Sequence, residues 1–171
     1  MKITIKLLGN IYDEITEKLR VNVGGIFQCP VEIKLNFGDL VQAFDLERKQ
    51  YLSSKLLASL GKSEREERIV GIADVDLYVP RLNFVFGEAD VASGTAIVSL
   101  YRLRQEYYGL APDEALLLDR ATKEIVHELG HTFGLEHCPN SKCVMHFSNS
   151  LADTDVKEAY FCTECRPKII L

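Results

Sequence analysis

Residues 127–137 read His127-Glu128-Leu129-Gly130-His131-Thr132-Phe133-Gly134-Leu135-Glu136-His137, placing three imidazoles and a carboxylate at spacings that suit one metal ion. On a helix, positions four apart lie about 40° apart and one turn up, so His127 and His131 can aim both rings at the same point. Glu128 sits on the flank of that face, where its carboxylate can serve as a base toward a metal-activated water without ligating the metal. If the helix ran on, His137 would stand roughly 15 Å along the axis from His127, far beyond a zinc–nitrogen bond of roughly 2.0–2.1 Å. The helix must therefore stop. Gly134 supplies the stop by taking the left-handed conformation at C′, which turns the chain back and presents His137 as a third ligand. Three protein ligands leave one position open, the mark of a catalytic and not a structural zinc. Three of the chain's four histidines fall at these positions, and chance would give the five-residue core of the pattern with odds on the order of one in 10⁵.

The next residue opens a second constellation. Cys138 and Cys143 form a C-x4-C pair, and Cys162 and Cys165 form a C-x2-C pair, which together suit a four-thiolate zinc site with no open position and hence a structural role. Two disulfides are the alternative, and compartment decides between them. Met1 to Leu8 carries charges within a short apolar stretch and lacks the uninterrupted core of a secretory signal. A reduced, cytoplasmic setting follows, which favours metal over disulfides. A redox dithiol at Cys162 and Cys165 is less favoured, because no strand-to-helix context precedes it and two further cysteines stand near. Cys29, between Gln28 and Pro30, reads as a reduced core or edge thiol.

With both constellations in view, the chain resembles the archaemetzincins, a branch of the metzincin clan of zinc peptidases. The resemblance is carried by His127 to Cys165. It implies that Met145 forms the tight-turn methionine that lies beneath the zinc-binding histidines, a role that a lone methionine would not otherwise suggest. Some metzincins carry a tyrosine two residues beyond that methionine, whereas this chain has Phe147. Oxyanion stabilisation would then fall to the metal and to backbone or unidentified donors. His146 reads first as a surface or packing residue, with an extra donor as the alternative. The resemblance further implies an upper subdomain, 1–134, built of a mixed twisted sheet and the zinc helix, and a lower subdomain, 135–171, with the substrate cleft between them. Leu82 to Gly87 is the best match to the edge strand at the cleft rim, and it reads equally as an ordinary core strand. At the rim, an extended peptide would pair with it as an added strand.

The elements that must position these residues follow from composition and periodicity. At 171 residues and 47% hydrophobic, the chain can bury the core of a single domain. Its net charge is −5 and its twenty Lys and Arg are scattered, which leaves no electrostatic footprint for nucleic acid. No apolar run approaches membrane-spanning length. Strands are expected over Ile3–Leu8, Val31–Phe37, Ile69–Val79, Asn83–Phe86 and Ala96–Tyr101. Helices are expected within Asp13–Leu19, over Leu46–Leu60 ending at Gly61, and over 113–134 from a Pro112-Asp113 start. Ser63–Arg68 reads as a charged connection. The order is α/β (α+β), with Leu118, Ala121, Ile125 and Leu129 as the core stripe of the last helix.

Taken together, the residues describe a monomeric, cytoplasmic zinc peptidase acting on peptides or proteins. It would carry two zinc ions, one catalytic and one structural, and have no nucleic-acid or membrane partner. Two other readings use the same cage: a zinc-bearing protein that holds a peptide without cleaving it, and a hydrolase of non-peptide amides. The intact Glu128 speaks against the first, since a pure cage needs no base beside an open position.

Overall fold

The computed structural model describes residues 1–9, 11, 13–36 and 40–170. In chain order the elements are β1 (Lys2–Leu8), α1 (Glu14–Phe27), β2 (Val31–Asn36), α2 (Leu40–Ala43), β3 (Phe44–Asp45), β4 (Gln50–Leu52), α3 (Ser53–Ser59), β5 (Glu67–Ala73), β6 (Leu77–Tyr78), β7 (Gly87–Asp90), β8 (Thr95–Ser99), α4 (Glu114–Thr132) and α5 (Leu151–Val156). Five strands form one sheet in the order β2-β1-β5-β8-β7, and β3, β4 and β6 form a small second sheet. The large sheet is parallel except for β7, which pairs antiparallel to β8 and forms one edge. Of its inner strands, β5 and β8 are buried over most of their length and read as largely apolar runs, whereas β1 alternates apolar residues with Lys2, Thr4 and Lys6. Ile3, Ile5 and Leu7 of β1 join Val70, Ile72 and Val98 in a core shared with α1 and α4. Leu8 and Ile97 join Leu56, Leu57 and Leu60, from α3 and its end, in a second core.

Helix α1 starts at Asp13, whose side chain accepts from the Thr16 amide in a capping box, and runs well past the expected Leu19. Ile15, Leu19, Val23 and Phe27 recur every four residues and are all buried. That stripe outweighs the cost of roughly 1 kcal/mol each for Gly24 and Gly25 inside the helix.

Three other expectations are corrected. The segment Leu46–Leu60 is helical only from Ser53. Asp45 accepts from the amides of Glu47 and Arg48, and Lys49 has φ 56, so the chain makes a hairpin turn between β3 and β4. The Ile69–Val79 strand breaks after Ala73, where Asp74 and Asp76 turn to pair with Arg104 and Arg102. Asn83–Phe86 is not a strand; β7 begins one residue later, at Gly87. The carbonyls of Leu82 and Asn83 are taken by Arg48, and Arg102 stacks on the Phe84 ring at 4.4 Å, which spends this stretch on side-chain contacts. The strand expected at 96–101 is β8, one residue earlier at its start. Phe37, the last residue of the strand expected from Val31, lies outside the described residues.

Candidate metal centre

Helix α4 is capped by Asp113, which accepts from the Leu116 amide at 2.9 Å. Ala121, Ile125 and Leu129 turn wholly into the core, whereas Leu118 is only partly buried. The helix also buries polar groups: Arg120, Glu124, His127 and Glu128 are each less than a tenth exposed. Gly134 ends it with φ +82. The Gly134 amide donates to the His131 carbonyl at 2.8 Å and the Leu135 amide to the Gly130 carbonyl at 3.3 Å, the paired bonds of a Schellman cap. The turn brings His137 back beside the helix, so that nitrogens of His127, His131 and His137 all lie within 4.8 Å of one another.

Those nitrogens have a definite protonation pattern. His127 Nδ1 lies 2.7 Å from the Val144 carbonyl oxygen, and His131 Nδ1 lies 2.7 Å from that of Leu135. A carbonyl only accepts, so each Nδ1 carries the proton and each Nε2 presents a lone pair. The two Nε2 atoms are nonetheless 3.0 Å apart. Burial holds His127 well below 6.5 and also lowers His131, so neither ring supplies a second proton to bridge them. Two facing lone pairs at that distance fit a shared cation, and a soft-to-borderline ion such as zinc suits imidazole donors. His137 is exposed, its ring lying 4.7 Å from that of Phe147, which covers one side of it.

The four thiols form an equally compact cluster, with sulfurs mutually within 4.8 Å. All five cysteines are free, and the Sγ atoms of Cys138 and Cys162 are 3.9 Å apart, against roughly 2.05 Å for a disulfide. Burial pushes Cys162 up, yet the amides of Cys165 and Glu164 together with the Cys143 and Cys165 thiols bring it down to about 7, while burial pushes Cys143 and Cys165 up. Such a poised thiolate, amid converging sulfurs, fits a metal donor set. Cys29 stands apart, packed at the edge of the main core.

Met145 is fully buried beneath α4, its sulfur in tight contact with the bare Cα side of Gly130. The turn around it joins the two clusters. The Val144 carbonyl takes His127, the Cys138 amide donates to the Met145 carbonyl at 2.9 Å, and His146 Nδ1 donates to the Cys138 carbonyl at 2.9 Å. His146 is thus a tie within the turn.

A cleft of about 390 Å³ opens beside the histidines, walled by Leu82 to Gly87 on one side and Phe147 to Asn149 on the other, with Glu124 and Glu128 at its base. The residues matched to the rim line the cleft, although only Gly87 of them belongs to the edge strand. Burial first, and Glu124 second, raise the Glu128 carboxyl to about 8. Glu124 itself pairs with Lys157 at 2.9 Å, in one of the most deeply buried ion pairs of the structure, and accepts from Thr154 at 3.1 Å. The sequence reading passed over Glu124 and Lys157. Glu124 stands one turn before Glu128 on the same face, which was a visible signal, whereas nothing local marks Lys157.

The chain matches the model of Peptidase family M54 over residues 2–170. It is 42% identical over 175 residues to the archaemetzincin of Pyrococcus abyssi, covering 98% of this chain and 93% of that one. Among solved structures it resembles a zinc-dependent peptidase from Methanocorpusculum labreanum, with a TM-score of 0.90, 31% identity, and 98% and 100% of the two chains covered. It also resembles the archaemetzincin of Archaeoglobus fulgidus, with a TM-score of 0.84, 36% identity, and 99% and 100% covered. A match of this extent, joined to a cleft with two metal-type donor sets, makes the chain a member of peptidase family M54, the archaemetzincins, and a zinc metallopeptidase.

Proposed function

We propose that His127, His131 and His137 hold a catalytic zinc, that Glu128 carries protons for peptide hydrolysis, and that Cys138, Cys143, Cys162 and Cys165 hold a second, structural zinc. The observation that carries the reading is the pair of Nε2 lone pairs facing each other at 3.0 Å, with both Nδ1 protons already committed to carbonyls. When bound there, zinc would polarise the scissile carbonyl and bring the pKa of water toward about 7. Glu128 takes the proton released as water attacks and delivers it to the departing amide nitrogen. Burial raises the Glu128 carboxyl in the metal-free chain, and beside a zinc cation it would favour the carboxylate form that accepts the proton. The free edge of β7 pairs with an extended peptide, and the apolar cleft wall accommodates its side chain. Phe147 offers no hydroxyl; it packs against His137 and supports the third ligand.

The same geometry supports the division of labour along the chain: 1–134 supplies sheet and helix, and 135–171 forms a lower subdomain organised by the thiolates and Met145. Leu171 lies outside the described residues. No helix among them is long and apolar enough to cross a membrane.

Replacing Glu128 with Gln should leave zinc content unchanged and abolish cleavage of a verified peptide, because the residue moves protons and does not ligate. Replacing His131 with Ala should lose the catalytic metal as well. Full activity in Glu128→Gln, measured with metal analysis of the same sample, would overturn the mechanism.

A further inference from the structure

Gly87, the first residue of β7, faces α4 at the point where the helix carries Glu128. A Cβ at this position would stand 2.6 Å from Glu128 Cγ, 2.9 Å from Glu128 Cδ and 2.6 Å from the Ile97 carbonyl oxygen. Carbon atoms in good contact sit at roughly 3.5–4.0 Å, so no other residue fits without moving the glutamate or the strand. The backbone does not itself demand glycine here, since the positive-φ glycines are Gly9, Gly61, Gly94, Gly109 and Gly134. What the site requires is the missing side chain, the close-approach use of glycine in a strand.

Glu128 needs such a wall more than its neighbours do. Arg120 is fixed by Asp155, Glu124 by Lys157 and Thr154, and His127 by the Val144 carbonyl. The Glu128 carboxylate is influenced by burial and by the charges of Glu124, Lys157 and Glu88, and among the described residues no hydrogen bond orients it. Packing therefore selects its rotamer, and the Gly87 main chain approaches the glutamate closely enough to take part in that selection.

We propose that Gly87 is the positioning residue for Glu128: its bare Cα forms the shelf along which the glutamate side chain lies, holding the carboxylate at the cleft in place of a hydrogen bond. The functional half of this statement rests on Glu128 being the proton carrier. The contact itself does not.

The test is a double-mutant cycle on zinc-loaded protein. Gly87→Ala should keep the wild-type zinc content and hold KM within about 2-fold, while kcat falls about 100-fold, the loss expected when a reacting group shifts by about 1 Å. Its melting temperature should drop by about 2–4 °C in the wild-type background. In the Glu128→Ala background the drop should be about half as large, because only the clash with the Ile97 carbonyl remains. Equal drops in both backgrounds would assign Gly87 to β7–β8 pairing alone and overturn the proposal, as would a wild-type kcat in Gly87→Ala. Should Gly87→Ala fail to fold, folding of Gly87→Ala/Glu128→Ala would support the contact, and its failure would overturn it. Cleavage retained by Glu128→Ala would strike at the proton-carrier reading instead; the melting cycle, which involves no turnover, reports on the contact either way.

Discussion

Glu128 and Glu124 lie one helical turn apart and line the same cleft, and among the described residues only Glu124 has a cation in contact. The unpaired one shows it: burial, then repulsion from Glu124, raises Glu128 from 4.5 to about 8 in the protein without metal. Between those values the folded chain holds a proton that the unfolded chain releases. The group's contribution to stability is therefore present in full below about pH 4.5 and is lost as pH rises through about 8. Glu128→Gln, which cannot ionise, should escape that loss. In chelated protein the variant should gain on wild type across this window at about 1.4 kcal/mol per unit, to a total on the order of a few kcal/mol. Histidine and cysteine titrations occur in both proteins and cancel in the difference. Urea unfolding from about pH 5 to about pH 8 measures it, and a difference that stays flat would show that the carboxyl is not raised. For the paired glutamate the argument runs through charge. Lys157 and Glu124 have side chains 0% and 4% exposed, so Lys157→Met strands a buried carboxylate and should cost about 3–5 kcal/mol. Removing both charges in Glu124→Leu/Lys157→Met should restore most of that stability in the same unfolding assay; a double variant no better than the single would mean that packing, not charge, set the cost.

Helix α4 was legible because everything that defines it is local. A capping aspartate, an apolar stripe of period 3.6, a glycine stop and ligands at fixed spacing all lie within one stretch of about 25 residues. The thiolate set was legible for a related reason, since cysteine pairs announce their chemistry by spacing. Leu46–Leu60 was misread because its apolar pattern ran across a local turn closed by Asp45 on the Glu47 and Arg48 amides, whereas Asn83–Phe86 was misread because its partner is remote: Arg102 holds Phe84. No pattern within the second segment encodes that contact. The same limit hid Lys157 and the role of Gly87. Within α4, Gly130 allows two effects to be weighed against each other. Gly130→Ala should gain about 1 kcal/mol in helix propensity. Against this stands the Met145 sulfur, already in tight contact, with Phe161 Cε1 at 3.1 Å from the new Cβ. Overpacking of a buried site costs about 1–3 kcal/mol, so the net effect should be destabilising. Because Met145 adjoins Val144, whose carbonyl holds His127, zinc at the histidine site should also exchange faster. Thermal melting and chelator competition would read the two effects, and a variant stabilised with unchanged exchange would show that Met145 has room to move.

Across the whole molecule the two donor sets share one piece of chain. His137 and Cys138 are adjacent, and the turn at Val144 to His146 binds both clusters through the His127, Cys138 and His146 hydrogen bonds. The segment from Cys138 onward buries few large apolar groups of its own, so thiolate binding of zinc should supply much of its order. Two further ties also hold it to α4. Arg120 grips Asp155 at 2.6 Å and 2.7 Å, and Lys157 grips Glu124. These ion pairs do not depend on metal, so loss of the thiolate site should loosen the segment without releasing it. Cys162→Ser should therefore weaken zinc at the histidines about 10- to 100-fold, the range seen when groups that orient ligands are lost. His127→Ala should barely disturb the thiolate set, whose four donors all lie beyond α4. This asymmetry concerns damage to a fold and so does not conflict with the reciprocity that governs two ligands. Cobalt substitution separates the sites, because thiolate and imidazole coordination differ in their spectra. In Cys162→Ser/Lys157→Met, with one metal-independent tie also cut, the imidazole band should be lost. Wild-type cobalt affinity at the histidines in both variants would mean that Gly134 and α4 alone direct His137, and that the segment beyond it serves some other end.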